Sequence, residues 1–571
     1  MLPTSKILTF PLLLGLLCLA SEPLKPKVTP PDPHFNRLQH NDAVIEYLRG
    51  YVKAFPDWVT LKSLGKTSGG NDTWLVTISN PNTGTPESKP AYYVDGATHA
   101  NEAQGTDTVL YLINFMLHNY GKLDRLTDTM DRITFYMVPI VSPDSRAKWF
   151  DEPSTTHYPR TVQVKIDDDR DGALDEDQFD DLDGDGIITQ MRKKVKMGEG
   201  SFRLHPKDSR ILVPVEKDEL GDYIMLGNEG IDNDGDGRVN EDTTGYLDPN
   251  RTWGYNWQPR YVQAGTSQYP LQIPETRNIA EWALTKTNIA GVQSFHNYGR
   301  MILRGPGSKD EQPFPPQDIQ VLDFLGQEGE KMLPGYNYFI SWKDLYTVYG
   351  GTTEHFFGIH GIYSFTNEMN EFQHDYDGDG EISDEEMMKF NDELTLGRMF
   401  IPWKTYNHPQ YGQIEIGGYR FDTRRVPEGW RLEEECHRNS AFVLFNAYHI
   451  PKISLGDVQT EKVDRNLTKV FVPILNERIM PTMSAKALNN KLYRKDIATL
   501  EGAKVLASGV VQDRWLNNIQ LQTHRPQRLM VGGVDGMSTK TLYFLVEGKG
   551  KVNFTYDSLK AGKLTTTIDL K

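Results

Sequence analysis

Val94-Asp95-Gly96-Ala97-Thr98-His99-Ala100-Asn101-Glu102 is the stretch on which the reading of this chain turns. A β-rich run at residues 91–94 gives way to Gly96 and then to a His and a Glu three residues apart, just ahead of a helical pattern. That spacing lets both side chains converge on one ion from a turn. Two later stretches close in a similar way. Val292-Gln293-Ser294-Phe295-His296 reads as a strand ending in a His, and Ile362-Tyr363-Ser364-Phe365-Thr366-Asn367-Glu368 as a strand ending in a carboxylate. Sites in open α/β sheets form at the carboxyl ends of strands, so the three ends are candidates for one site.

The surrounding texture is α/β. Asn41 and Asp42 offer N-caps to a helix with Val44, Leu48, Tyr51, Val52 and Phe55 at helical spacing, closed before Pro56. Strand-like runs at 73–79, 91–94 and 133–140 alternate with helical ones, one of them following Glu102. The alternation predicts an α/β fold, a mixed central sheet flanked by helices. Between residues 144 and 246 the pattern dissolves into acidic, Gly-containing loops, and a second acidic interruption falls near 375–386. Residues 456–571 change character: Val552, Phe554 and Tyr556 alternate with polar residues, and turns such as 547–551 recur. A C-terminal all-β, sandwich-like domain is expected there.

With 571 residues, 38% of them hydrophobic, the chain is too long for one compact domain. Its 78 acidic residues against 62 basic ones give a net charge of −16, which argues against nucleic acid or an anionic membrane as partner. Cys18 and Cys436 are the only cysteines, too few for a disulfide framework or a Cys-zinc site. Residues 1–20, MLPTSKILTFPLLLGLLCLA, place Lys6 before a leucine-rich run and end on Ala20, the order of a secretory signal peptide. The run is too short to span a bilayer, and the bulky Leu17 suits lipidation at Cys18 poorly. The expected organisation is a signal at 1–20, a Pro-rich linker at 21–36, an α/β domain at 37–455 with acidic insertions near 150–245 and 370–430, and a β domain at 456–571. The mature chain would be secreted, periplasmic or at the cell surface, with no membrane span.

Further motifs follow in a fixed order: Asp248-Pro249-Asn250-Arg251, Pro274-Glu275-Thr276, Ser294-Phe295-His296, Tyr346 ahead of Gly350-Gly351, and Tyr363-Ser364-Phe365-Thr366 ahead of Glu368. Together with His99 and Glu102, this order resembles the zinc carboxypeptidase family typified by pancreatic carboxypeptidase A. The resemblance implies that His99, Glu102 and His296 hold one catalytic Zn²⁺ with a position open for water, and that Asp248 orients a ligand imidazole. It implies Glu368 as general base, Asn250 and Arg251 as the grip on a substrate's free C-terminal carboxylate, and Tyr346 as a tyrosine closing over the substrate. Tyr349 lies close enough for a register error. An arginine stabilising the oxyanion best matches Arg192, with Arg146 as the alternative. Asn101 stands where digestive members often carry arginine. At the specificity pocket, Thr353 fits neither the apolar nor the acidic type, while Glu354 could favour a basic terminal residue or face away.

Asp-x-Asp-x-Asp-Gly occurs four times: Asp167/Asp169/Asp171, Asp181/Asp183/Asp185, Asp232/Asp234/Asp236 and Asp375/Asp377/Asp379. Alternate carboxylates followed by Gly wrap oxygen ligands around Ca²⁺. In the fourth, Glu381, Ser383 and Glu386 complete positions 7, 9 and 12 of an EF-hand loop. The others carry Gln178, Arg192 and Thr243 at position 12, so they must close otherwise, through Asp175, Asn240 or Asp242. The expected function is an exopeptidase acting on peptides or proteins with a free C-terminus, with structural calcium. Alternatives are a peptidoglycan stem-peptide or acyl-amino-acid hydrolase, or a non-catalytic calcium-dependent surface-binding protein. The C-terminal domain's partner is left open.

Overall fold

The computed structural model describes residues 22–152, 160–165, 167, 172–241 and 245–570. The expected export signal, Cys18, Asp169, Asp171, Asp242 and Thr243 lie outside the described residues. Eight strands build the central sheet: β1 (Val59–Lys66), β2 (Asp72–Ile78), β3 (Ala91–Gly96), β4 (Thr134–Val138), β5 (Ile289–Asn297), β6 (Met301–Arg304), β7 (Asn337–Ile340) and β8 (Tyr363–Met369). Their order across the sheet is β1-β2-β4-β3-β5-β8-β6-β7. The middle pairs β4–β3, β3–β5 and β5–β8 are parallel, whereas β1–β2, β2–β4 and β8–β6 are antiparallel. The sheet is therefore mixed, as the α/β alternation predicts.

The middle strands are buried on both faces, and period-two alternation divides them between two cores. Tyr92, Val94, Phe135 and Met137 pack under helices Asn41–Ala54, Gln104–Asn119 and Gly429–Tyr448, through Val44, Leu48, Val109, Ile113, Phe442 and Val443. Tyr93, Tyr136 and Val138 face the other way, against Ile279 and Ala280 of helix Pro274–Leu284 and Phe356 of helix Thr352–His360.

The acidic interruptions are not irregular throughout. Among the described residues six of their strands join into one antiparallel sheet, in which Gly412–Tyr419 of the second insertion pairs with Gln190–Lys194 of the first, and Val162–Val164 pairs separately with Gly245–Leu247. Strands as polar as Gln190-Met191-Arg192-Lys193-Lys194 carry no alternating signal, because only Met191 enters a hydrophobic core, with Ile414 and Ile416. The C-terminal region is two antiparallel sheets sharing one core: Val470, Val472 and Phe544 face Ala498, Phe554 and Tyr556. It also carries one short helix, Ala485–Asn490. Among the described residues no helix is long and apolar enough to cross a membrane.

Candidate metal centre and its surroundings

The site forms where β3, β5 and β8 end. β3 closes at Gly96, and the helix Gln104–Asn119 crosses so tightly that a Cβ on Gly96 would lie 2.5 Å from the Gly105 carbonyl carbon. Two glycines at this crossing let the turn between them swing His99 and Glu102 under the sheet's end. Parallel register places His296 of β5 directly beside Glu368 of β8, so both side chains leave the same face.

His99 Nδ1, Glu102 Oε2 and His296 Nδ1 converge, separated by 3.1, 2.9 and 3.2 Å. All three residues are buried. The other ring nitrogens decide the chemistry. His99 Nε2 lies 2.9 Å from Asp248 Oδ1. Burial opposes the charge on Asp248, but His99, Arg251 and Arg160 hold its carboxyl far below the ordinary range. An ionised carboxylate only accepts, so it takes the His99 Nε2 proton and leaves Nδ1 with a lone pair. Ser294 Oγ donates to Asp95 Oδ1 at 2.5 Å and stands 3.2 Å from His296 Nε2, so the imidazole donates there and its Nδ1 too is unprotonated. Three electron-pair donors thus face one another, buried at the ends of the central strands. Such an arrangement repels itself unless a cation sits among them, and edges of 2.9–3.2 Å match the roughly 3.3 Å edge of a tetrahedron with ~2.0–2.1 Å zinc bonds. The donor set fits zinc.

Around it stand four further groups. Glu368 has its carboxyl pushed up to about 7 by burial and by the charge of Glu102. Arg251 places its guanidinium 6.0 Å from the ring centre of the half-exposed Tyr346. Asn250 accepts from the Thr352 backbone N–H at 2.8 Å and stands 3.1 Å from its hydroxyl. Tyr349 instead donates to Asp310, away from Arg251.

Arg192 is not at this site. It lies on strand Gln190–Lys194 of the second sheet, donates to Glu415 at 2.7 Å and stacks 4.1 Å over Trp403. Arg146, the alternative, is buried under helix Asn41–Ala54, bonded to Asn41 and Gln39. The arginine beside the triad is Arg160, 2.5 Å from Glu102 Oε1 and 3.3 Å from His99 Nε2. Arg425, from the second insertion, joins it at 3.3 Å from Glu102 and 3.0 Å from the Asn297 carbonyl. Neither carries a sequence signal, since both sit beside insertions that displace any simple alignment. Glu354 is buried, with its carboxyl packed so closely that a Cβ on Gly351 or Gly307 would collide with it. Burial and Glu311 raise its carboxyl to about 7.

Carboxylates also gather in the acidic loops. Asp375, Asp377 and Glu386 converge, as do Asp232, Asp234 and Asp236. Asp379 and Glu381 stay outside the first group, and the Ser383 hydroxyl caps helix Asp384–Glu393 in a reciprocal bond with Glu386. Carboxylates beyond the expected closing residues gather at the loops. Glu229 joins Asp181 and Asp183, while Asp177 and Glu241 join Asp234. Asn240 donates its amide N–H to the Asn228 and Glu229 carbonyls while its buried Oδ1 has no hydrogen-bond partner among the described residues, and Asp185 lies 3.9 Å from Lys404.

A family model described as zinc carboxypeptidase matches residues 44–156 and 227–391, and a domain of unknown function matches 452–569. Carboxypeptidase D of Homo sapiens is 33% identical over 117 residues, 20% of this chain and 8% of that protein. An inactive metallocarboxypeptidase of Saccharomyces cerevisiae is 26% identical over 143 residues, 24% of this chain and 33% of that one. This chain therefore spans less than a tenth of the first relative and a third of the second. Carboxypeptidase A from Helicoverpa armigera superposes with a TM-score of 0.44 at 16% identity, covering 74% of this chain and 76% of that one.

Proposed function

As a member of the zinc carboxypeptidase family, this chain is, we propose, an exopeptidase that hydrolyses the C-terminal peptide bond of peptides or proteins. The observation that carries the reading is the convergence of His99, Glu102 and His296 donors with Glu368 on the adjacent strand. Bound zinc supplies Lewis-acid polarisation and a lowered water pKa. The chain's own residues do the rest. Asp248 and the Ser294–Asp95 pair fix the tautomers of His99 and His296. Arg251, beside Asn250, binds the terminal carboxylate of the substrate in a charge-assisted fork, and Tyr346 packs over it. Glu368 accepts the proton of the attacking water and returns it to the departing amine; its raised affinity for a proton suits both halves of that task. Arg160, rather than Arg192, donates to the oxyanion as the carbonyl becomes tetrahedral.

Calcium belongs to the same proposal, as a structural ion in the acidic loops. Glu229 and Asp177, both buried, turn carboxylates toward the Asp-x-Asp turns, which supports closure by residues from neighbouring segments.

The test is digestion of a mixed peptide library by the zinc-loaded protein, with and without a zinc chelator. Release of single C-terminal residues that stops with chelation is the expected result. Internal cleavage, or no cleavage by protein that holds zinc, would sink the reading.

A further inference from the structure

Between helix Thr352–His360 and β8 lies a two-residue turn, Gly361-Ile362, and the C-terminal domain grips it from three sides. Ser484 Oγ donates to the Gly361 carbonyl at 2.6 Å. Tyr493 OH stands 3.2 Å from His360 Nδ1. Lys560, buried, directs its ammonium to the His360 carbonyl at 3.5 Å and over the Tyr493 ring at 4.8 Å. Burial pulls the Lys560 amine down to about 7, while the negative end of the helix dipole at this place favours its charged form. Gly361 is left-handed, φ +56°, and a Cβ there would lie 2.8 Å from Ser484 Oγ and 2.9 Å from the Ala487 Cβ, so the domains touch backbone to side chain.

Asp318 makes the grip continuous. Buried at the start of helix Pro316–Met332, it accepts from the Ala485 and Lys486 backbone N–H groups at 2.9 and 2.7 Å and from Tyr363 OH at 2.6 Å. Tyr363 opens β8, five residues before Glu368. At its other end the gripped helix presents Thr352 to Asn250, and Thr353 Oγ1 lies 2.6 Å from Thr366 Oγ1 of β8. One helix–turn–strand unit therefore carries both the support of Asn250 and the proposed base, and the second domain holds its bend.

We infer that the C-terminal domain is a positioning element of the catalytic domain: Ser484, Tyr493 and Lys560 fix the Gly361 turn and thereby set Glu368 and Asn250 in register. The inference rests on the proposed function for which atoms react, but the fixing of the turn can be read without turnover.

The experiment compares full-length wild type with S484A, K560M and K560R by zinc content, hydrogen exchange of residues 352–369, and kcat and KM on a peptide with a free C-terminus. S484A and K560M are expected to keep zinc. Exchange at 361–369 should speed up by about tenfold, the scale of one lost bond to a charged or buried group. Their kcat should fall about 10–100-fold, as for a small misplacement of a catalytic group, with K560R restoring most of it. Wild-type exchange rates in both variants overturn the inference, and so does faster exchange at undiminished kcat. If zinc-loaded wild type cleaves nothing, the carboxypeptidase reading fails, and the exchange rates alone decide whether the domain fixes the turn.

Discussion

Two arginines separate the reacting centre from its scaffold. Arg160 contacts Glu102 and lies beside His99, so R160A should lower kcat/KM by about 10²–10³-fold with zinc retained, as when an oxyanion donor is lost. Arg192 bridges to Glu415 and covers Trp403 in the other sheet, so R192A should lower the melting temperature while leaving kcat/KM close to wild type. The reverse pattern would return the oxyanion role to Arg192. At Glu368, E368Q keeps shape and removes the proton acceptor; turnover should drop by about 10²–10⁴-fold at unchanged zinc content. Glu354 makes a prediction about pH. Its carboxyl is raised from 4.5 to about 7 by burial and Glu311, so the folded state prefers it protonated. The stability this contributes is fully present below pH 4.5 and lost as pH rises through 7. E354Q should abolish that part of the decline, so the gap in melting temperature between variant and wild type should widen in the variant's favour from pH 5 to pH 8. A constant gap would mean that Glu354 does not titrate across this range.

At the scale of elements, the insertions form a layer that reaches the site. Strand Gly412–Tyr419 leads within six residues to Arg425, and it pairs with the strand that follows the Asp181 loop. Unneutralised carboxylates at Asp181, Asp183 and Glu229 repel, and Lys404 balances them only in part, through Asp183 and Asp185. Calcium removal should therefore lower the melting temperature and slow turnover while zinc stays bound, and E229Q, which removes one of the gathered carboxylates, should weaken the response to added calcium. An unchanged melting curve in calcium-free buffer would count against structural calcium. This layer also marks the limit of what the sequence makes legible. His99, His296 and Glu368 stand out because strand endings and their spacing are local, and local pattern survives translation into structure. The pairing of Gln190–Lys194 with Gly412–Tyr419 joins segments more than two hundred residues apart, and the placement of Arg425 and Glu229 goes with that closure, while Arg160 arrives beside the separate pairing of Val162–Val164 with Gly245–Leu247. No local periodicity encodes it, since these strands are short, charged and only half buried.

At the scale of the molecule, the question is whether two cores melt as one. The hydrophobic clusters of the α/β and C-terminal domains are distinct, which alone would favour two transitions. Besides the contacts of Ser484, Tyr493 and Lys560 with the Gly361 turn, two features couple them. Met480, next to the C-terminal strands, is buried in the α/β core. Asp318 accepts backbone N–H groups of the C-terminal helix and a catalytic-domain tyrosine within one buried carboxylate, and hydrogen bonds to charged groups contribute about 1.5–3 kcal/mol each. Separating the domains would break the two bonds of Asp318 to the C-terminal helix and open the Met480 site together, a cost comparable to the stability of a small domain. Calorimetry of the whole chain should therefore give one transition. D318N, which removes the charge and half the acceptors while keeping the volume, should split it, with the C-terminal sheets and the α/β core unfolding separately. Two well-resolved transitions in the wild type would show instead that the junction is weaker than either core.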